Sequence, residues 1–146
     1  MPTYALQLRL DAPADVEIGA LGRLRFEAGY YVYTGSAARG LWPRVARHFR
    51  REKRLRWHID YLTRVAGPVE AWCDLGLEDL ECVWTAALLD ASGAPPPAGG
   101  FGSSDCGCAS HLSFFSARPD LGRLLAPADV TSRACACPLH HPASHR

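Results

Sequence analysis

No stretch of the chain approaches the roughly 18 consecutive apolar residues that a membrane-spanning helix requires. It also lacks the basic leader and unbroken apolar segment of an export signal, since its first ten residues, MPTYALQLRL, alternate instead. A cytoplasmic, reducing setting is the expectation. The six cysteines are then metal ligands or buried thiols, not disulfides. No internal repeat is present. What remains is a chain of 146 residues, 48% hydrophobic, long enough for one domain with its own core.

Acid is scarce in one window. Residues 39–56 hold Arg39, Arg44, Arg47, Arg50, Arg51, Lys53, Arg54 and Arg56 against the single acid Glu52, a local charge of +7. The whole chain carries +1, so the rest carries −6. A concentrated basic segment on a mildly acidic body points to contact with a polyanion. The plainer alternative is a solvated helix face.

Residues 4–10 predict a half-buried strand, with Tyr4, Leu6, Leu8 and Leu10 on one side and Gln7 and Arg9 on the other. A turn at 11–15 leads into a short, irregular hairpin over 16–26. Residues 29–33, Gly-Tyr-Tyr-Val-Tyr, form a further strand, which 34–37 is expected to break. Gly40 and Pro43 bracket the start of a helix predicted to run to about Arg54. Leu41, Val45 and Phe49 supply its buried stripe. Arg47, Arg50, Arg51 and Arg54, at i, i+3, i+4 and i+7, would form a basic stripe on another face.

A short helix over 56–63, a strand over 69–73 and a helix over 78–91 follow. Leu80, Val83, Trp84, Ala87 and Leu88 are expected on the inner face of that last helix. Residues 93–102 read as a loop, 103–110 as a polar cysteine-bearing segment and 111–116 as a final strand. The domain is expected over 1–125, with 126–146 as a disordered tail. The order predicts an α+β fold, a small mixed or antiparallel sheet flanked by helices.

Two motifs carry a resemblance. Tyr31-Val32-Tyr33-Thr34-Gly35-Ser36-Ala37, followed by Arg44-Val45-Ala46-Arg47-His48, resembles the core of the GIY-YIG nuclease superfamily. Tyr33-Thr34-Gly35 stands for the second signature, with Thr34 in its middle position. Tyr4 stands for the tyrosine of the first, which here reads Pro2-Thr3-Tyr4. Residues 51–62, Glu81-Cys82 and residues 100–112 are further similar to the Uri-type endonuclease subgroup.

The resemblance implies a metal-dependent endonuclease acting on DNA, in repair or defence against foreign DNA, with RNA not excluded. Arg44 would clamp the phosphate, because guanidinium is always charged and bonds phosphate through paired N–H groups. His48, one turn on, would assist proton transfer or bond a phosphate; packing or capping is the alternative. Glu81 would hold Mg²⁺ or Mn²⁺ alongside waters and substrate oxygens. Tyr4 or Tyr33 would orient or deprotonate the attacking water, although a phenol of pKa near 10 needs a cation to become a base. Tyr31 lies on the same strand side as Tyr33 and could substitute. The nucleic-acid contacts would come from Arg47, Arg50, Arg51, Lys53 and Arg54, which grip phosphates without reading sequence. His58 could contact DNA or complete the site, or cap its own helix.

Cys106-x-Cys108-x-x-His111 offers three soft ligands that could hold structural Zn²⁺, with Cys82, His58 or Cys73 as a fourth. Otherwise the cysteines pack while Ser103, Ser104 and Asp105 line a cleft. Cys135, Cys137, His140, His141 and His145 belong to the tail. Two rival readings stand beside the nuclease: a catalytically silent nucleic-acid-binding module, and a zinc-stabilised interaction protein.

Overall fold

The computed structural model describes residues 1–104 and 106–125, together with the backbone of 134–136. Strand β1, Thr3–Leu10, is central in a five-stranded sheet and pairs on both sides. Its neighbours are β4 (Gly29–Ser36) and β5 (Gly67–Asp74), both antiparallel to it. Beyond β4 lies β6 (Leu112–Phe115), and beyond β5 lies β7 (Ala134–Ala136). A separate hairpin joins β2 (Ala14–Glu17) to β3 (Arg23–Phe26) through a 3₁₀ turn at Gly19–Leu21. The expected α+β architecture with a helix-flanked sheet is therefore present. No helix among the described residues is long and apolar enough to cross a membrane.

The sheet is covered on both faces. Tyr4, Leu6, Leu8 and Leu10 point into one core with Val45, Ile59, Leu62 and Phe101. Ala5 and Val32 point into a second core with Trp84, Leu88, Leu121 and Leu125. That second core rests on α3 (Glu81–Ser92) and α4 (Leu121–Leu125). β1 is consequently not the half-buried strand expected from its alternation. Gln7 is fully buried and its Nε2 donates to the Pro119 carbonyl at 3.4 Å, because the later helices close over the face that its polarity had suggested was wet.

Three further expectations are corrected. Residues Thr34, Gly35 and Ser36 do not break β4: they pair with Ala5, Tyr4 and Thr3. Helix α1 spans Leu41–Phe49 and stops well short of Arg54. Arg50 is extended, and the Lys53 ammonium donates to the Arg47 and His48 carbonyls at 3.1 and 3.0 Å. A cation on the last carbonyls closes a helix C-terminus. Continuing the helix would have stacked Arg47, Arg50, Arg51 and Arg54 as like charges one turn apart. Finally, α3 starts at Glu81 and turns Val83 outward, 63% exposed, while Trp84, Thr85 and Leu88 face in.

Helix α2, His58–Leu62, packs Ile59 and Leu62 into the first core. Apart from the backbone of β7, the segment expected as a tail, including Cys137, His140, His141 and His145, lies outside the described residues, as does Asp105.

Candidate active site and metal centre

A polar cleft of about 310 Å³ opens where β1, β4, α1, α2 and the start of α3 meet. Tyr4, Tyr33, Arg44, His58 and Glu81 line it, with Ser36, Arg56 and Trp57. With Gly102 and Ser104 from the loop before β6, residues from six segments of chain are thus brought to one place.

Tyr4 and Gly35 sit opposite each other on β1 and β4. A Cβ at Gly35 would lie 2.5 Å from the Tyr4 hydroxyl oxygen, a separation no side chain tolerates. The glycine of Tyr33-x-Gly35 is therefore the floor on which the Tyr4 ring lies. Gly102, at φ +67, plays the same part for Tyr33: a Cβ there would stand 2.8 Å from that ring.

His48, one turn after Arg44 on α1, is buried beside Tyr4, with 2.7 Å between its Nε2 and the Tyr4 hydroxyl. It cannot reach a phosphate from there. Burial, followed by the positive charge of Lys53, lowers its pKa to about 3. The ring is neutral at physiological pH. Burial also raises the pKa of both phenols. For Tyr4 the next cause is Tyr33, and for Tyr33 it is the charge of Glu81, while Arg44 pulls both down. Tyr4 is held by His48, whereas no protein hydrogen bond holds the Tyr33 hydroxyl among the described residues. Tyr31 bonds the Glu27 carbonyl at 2.6 Å and packs on Phe26, away from the cleft, so it does not substitute for Tyr33.

Arg44 and Glu81 meet through Ser36. The guanidinium donates to the Ser36 carbonyl at 2.6 Å, and the Ser36 hydroxyl donates to Glu81 Oε2 at 3.4 Å. Arg44 also stacks 4.8 Å from the centre of the Trp57 ring. Among the described residues it forms no ion pair with a carboxylate, which leaves its charge directed at the cleft.

Arg47 is a different case. It grips Asp60 through two bonds, of 2.6 and 2.8 Å, and donates to the Arg54 carbonyl at 2.7 Å. Asp60 is fully buried and also accepts the backbone N–H groups of Arg56 and Trp57, both at 2.8 Å. Burial acts to raise its pKa, but these bonds outweigh it and hold the carboxyl below the ordinary range. The basic stripe expected on one helix therefore does not form. Arg47 and Lys53 are tied into the structure, and Arg50, Arg51 and Arg54 are exposed in the segment after α1. Burial, partly offset by Asp60, also lowers the Lys53 amine to about 8.

His58 accepts the Gly102 N–H on its Nδ1 at 2.9 Å. That bond puts the ring proton on Nε2. Trp57 is the residue that motif reading undervalued: three guanidiniums, from Arg44, Arg47 and Arg56, stand 4.5–5.2 Å from its ring centre. Its neighbours in the chain are basic, and that clustering was the available signal.

Beside the cleft, Cys82 from the first turn of α3 meets Cys106, Cys108 and His111. Their four ligand atoms all lie within 4.8 Å of one another. They can hold a metal ion, and Cys82 is the fourth member that spacing alone left open. Cys73 lies buried in the first core and His58 bonds Gly102. The Cys106 sulfur is 3.2 Å from His111 Nε2. Burial and the neighbouring thiols push the Cys108 thiol up to about 12.

The family model of a domain of unknown function, DUF123, matches residues 3–131. The chain belongs to the DUF123 family. Searches of curated proteins and of solved structures found no match to it. The match covers every residue of this DUF123 domain that lines the cleft or converges on the thiol cluster.

Proposed function

We propose that this DUF123 domain is a metal-dependent endonuclease that hydrolyses DNA phosphodiester bonds, with a GIY-YIG-type site. The single observation that carries the reading is the convergence of Arg44, Glu81 and Tyr33 on one polar cleft. Glu81 is a hard oxygen donor at the cleft edge, bonded to the Ser36 hydroxyl, and this suits Mg²⁺ or Mn²⁺, which take one or two carboxylates and complete their shells with water and phosphate. When bound, such an ion offsets the charge of the crowded phosphate and acidifies water.

The chain's own groups then divide the work. Arg44 clamps a non-bridging phosphate oxygen, stiffened by Trp57 behind it and the Ser36 carbonyl beside it. Tyr33 offers a hydroxyl to orient the attacking water. Tyr4 supports that geometry through its hydrogen bond to the neutral, buried His48, which fixes the phenol in place. His58 Nε2–H faces the cleft as a donor for a phosphate or the leaving oxygen. Arg50, Arg51 and Arg54 extend the positive surface for the neighbouring backbone.

Repair or defence against foreign DNA is the setting this chemistry suits. The test is a cleavage panel of single-stranded, duplex, flapped and damaged DNA, plus RNA, with and without Mg²⁺ or Mn²⁺. Divalent-dependent cutting of DNA is expected. No cutting of any substrate, together with stoichiometric bound zinc, favours the second reading, a zinc-stabilised interaction protein, which the thiol–imidazole cluster supports. Salt-sensitive DNA binding without cutting favours a silent binding module.

A further inference from the structure

The thiol cluster and the cleft carboxylate share one histidine. His111 Nε2 faces Cys106 at 3.2 Å, and its Nδ1 lies 3.6 Å from Glu81 Oε1. The ring is 3% exposed, and among the described residues that Nδ1 has no hydrogen-bond partner. A buried imidazole nitrogen without a partner costs free energy, which is recovered when it carries the ring proton and donates to a nearby acceptor. A metal on Nε2 does this, because it forces the ring proton onto Nδ1 and aims it at the carboxylate.

The loop is built to present the ligands. Gly100 N–H donates to the Ala109 carbonyl at 2.7 Å, and His111 N–H donates to the Phe101 carbonyl at 2.8 Å. The same His111 anchors the loop to the sheet, its carbonyl accepting the Thr34 N–H at 3.0 Å. Cys82 follows Glu81 directly, so one helix turn supplies both a ligand and the cleft carboxylate. Three thiolates and an imidazole are soft donors that suit Zn²⁺ and bind the hard Mg²⁺ poorly. Zinc–sulfur and zinc–nitrogen distances near 2.3 and 2.0 Å make tetrahedral edges of about 3.7 Å. The four donor atoms, all within 4.8 Å of one another, stand about 1 Å beyond that at most.

We propose that Cys82, Cys106, Cys108 and His111 bind one Zn²⁺ and that His111, ligated through Nε2, holds Glu81 in place with its Nδ1–H. Binding releases the three thiol protons to solvent and involves no redox change. His111 is thus a positioning residue for the carboxylate. The cleft role of that carboxylate rests on the nuclease reading; the zinc site itself does not.

The test uses the full chain purified under reducing conditions without chelator. Elemental analysis should find one zinc per chain, and Co²⁺ exchange should give the intense visible bands of a tetrahedral thiolate site. Long-range ¹H–¹⁵N NMR should show His111 metallated at Nε2 and protonated at Nδ1, with the Nδ1 proton resonance moving in Glu81→Gln. His111→Cys keeps four soft ligands and should retain the zinc, while the Mn²⁺ concentration for half-maximal cleavage rises roughly tenfold. Cys106→Ser with Cys108→Ser should lose the metal. Absence of a bound transition metal with freely titrating thiols would overturn the site. A zinc-loaded protein with His111 protonated at Nε2, or with its Nδ1 proton indifferent to Glu81→Gln, would overturn the coupling. If no nucleic acid is cut, the elemental and NMR arms still decide the proposal.

Discussion

On the α1–α2 wall of the cleft, Arg47 meets Asp60, Lys53 meets two helix-terminal carbonyls, and Tyr4 meets His48. Beside the cleft, α3 and the loop before β6 gather three thiols and an imidazole within 4.8 Å of one another, with Cys106 Sγ 3.2 Å from His111 Nε2. The first region is completed by the chain's own counter-groups. The other collects donors that a cation would organise. The difference teaches where rigidity comes from: a bidentate guanidinium–carboxylate pair needs only protein, whereas crowded soft donors oppose one another's ionisation until a metal arrives.

The largest break in this comparison is expected at Asp60. Its removal leaves Arg47, with a side chain only 15% exposed, without its partner. Asp60→Ala should destabilise by about 3–5 kcal/mol, read as a fall in the urea midpoint at unchanged slope. A change under about 1 kcal/mol would mean that the pair does not organise this wall. The exposed Arg9–Asp11 pair serves as the control, since exposed pairs contribute about 0–1 kcal/mol.

Next comes the choice between the two phenols. Tyr33→Phe should slow cleavage by roughly 10²-fold with folding intact, and Tyr4→Phe by less, because only Tyr33 keeps its hydroxyl for a cleft water. Equal losses in single-turnover rates would show that both phenols act as one unit.

A smaller effect concerns pH. The His48 pKa falls from 6.5 to about 3 on folding. Between those values the unfolded chain binds a proton that the native chain refuses, so stability is full above about pH 6.5 and declines as pH falls toward 3. The slope is at most about 1.4 kcal/mol per pH unit. Asp60, held below its ordinary pKa of 3.8, adds its own loss only at more acid pH. His48→Phe should flatten the stability profile between pH 6.5 and 4. An unchanged slope there would indicate that the ring is protonated in the native state.

The smallest effect belongs to the exposed arginines. Arg50→Ala with Arg54→Ala should weaken DNA binding across all sequences and reduce the salt slope by about two. An unchanged slope would take these side chains off the DNA path.

Much of the cleft was legible in the sequence because short spacings carry it. Tyr33-x-Gly35 has a steric reason, since the glycine makes room for Tyr4. Arg44 lines the cleft, and His48, one turn on, packs behind it against the Tyr4 hydroxyl. What was not legible depends on partners far along the chain. The end of α1 is closed by Lys53 and by Asp60 drawing Arg47 aside, which periodicity in residues 39–56 cannot reveal. Gln7 looked solvent-facing because α3 and α4, which cover it, come much later. The fourth soft donor, Cys82, stands 24 residues before Cys106, so only the fold selects it over Cys73 and His58.

The central claim is most directly tested by single-turnover DNA cleavage in Mg²⁺ with the unaltered chain, Arg44→Ala and Glu81→Ala, each checked for native circular dichroism. The account predicts cutting by the unaltered chain and a loss of at least about 10²-fold in each variant. Cleavage that proceeds unchanged in both would contradict it.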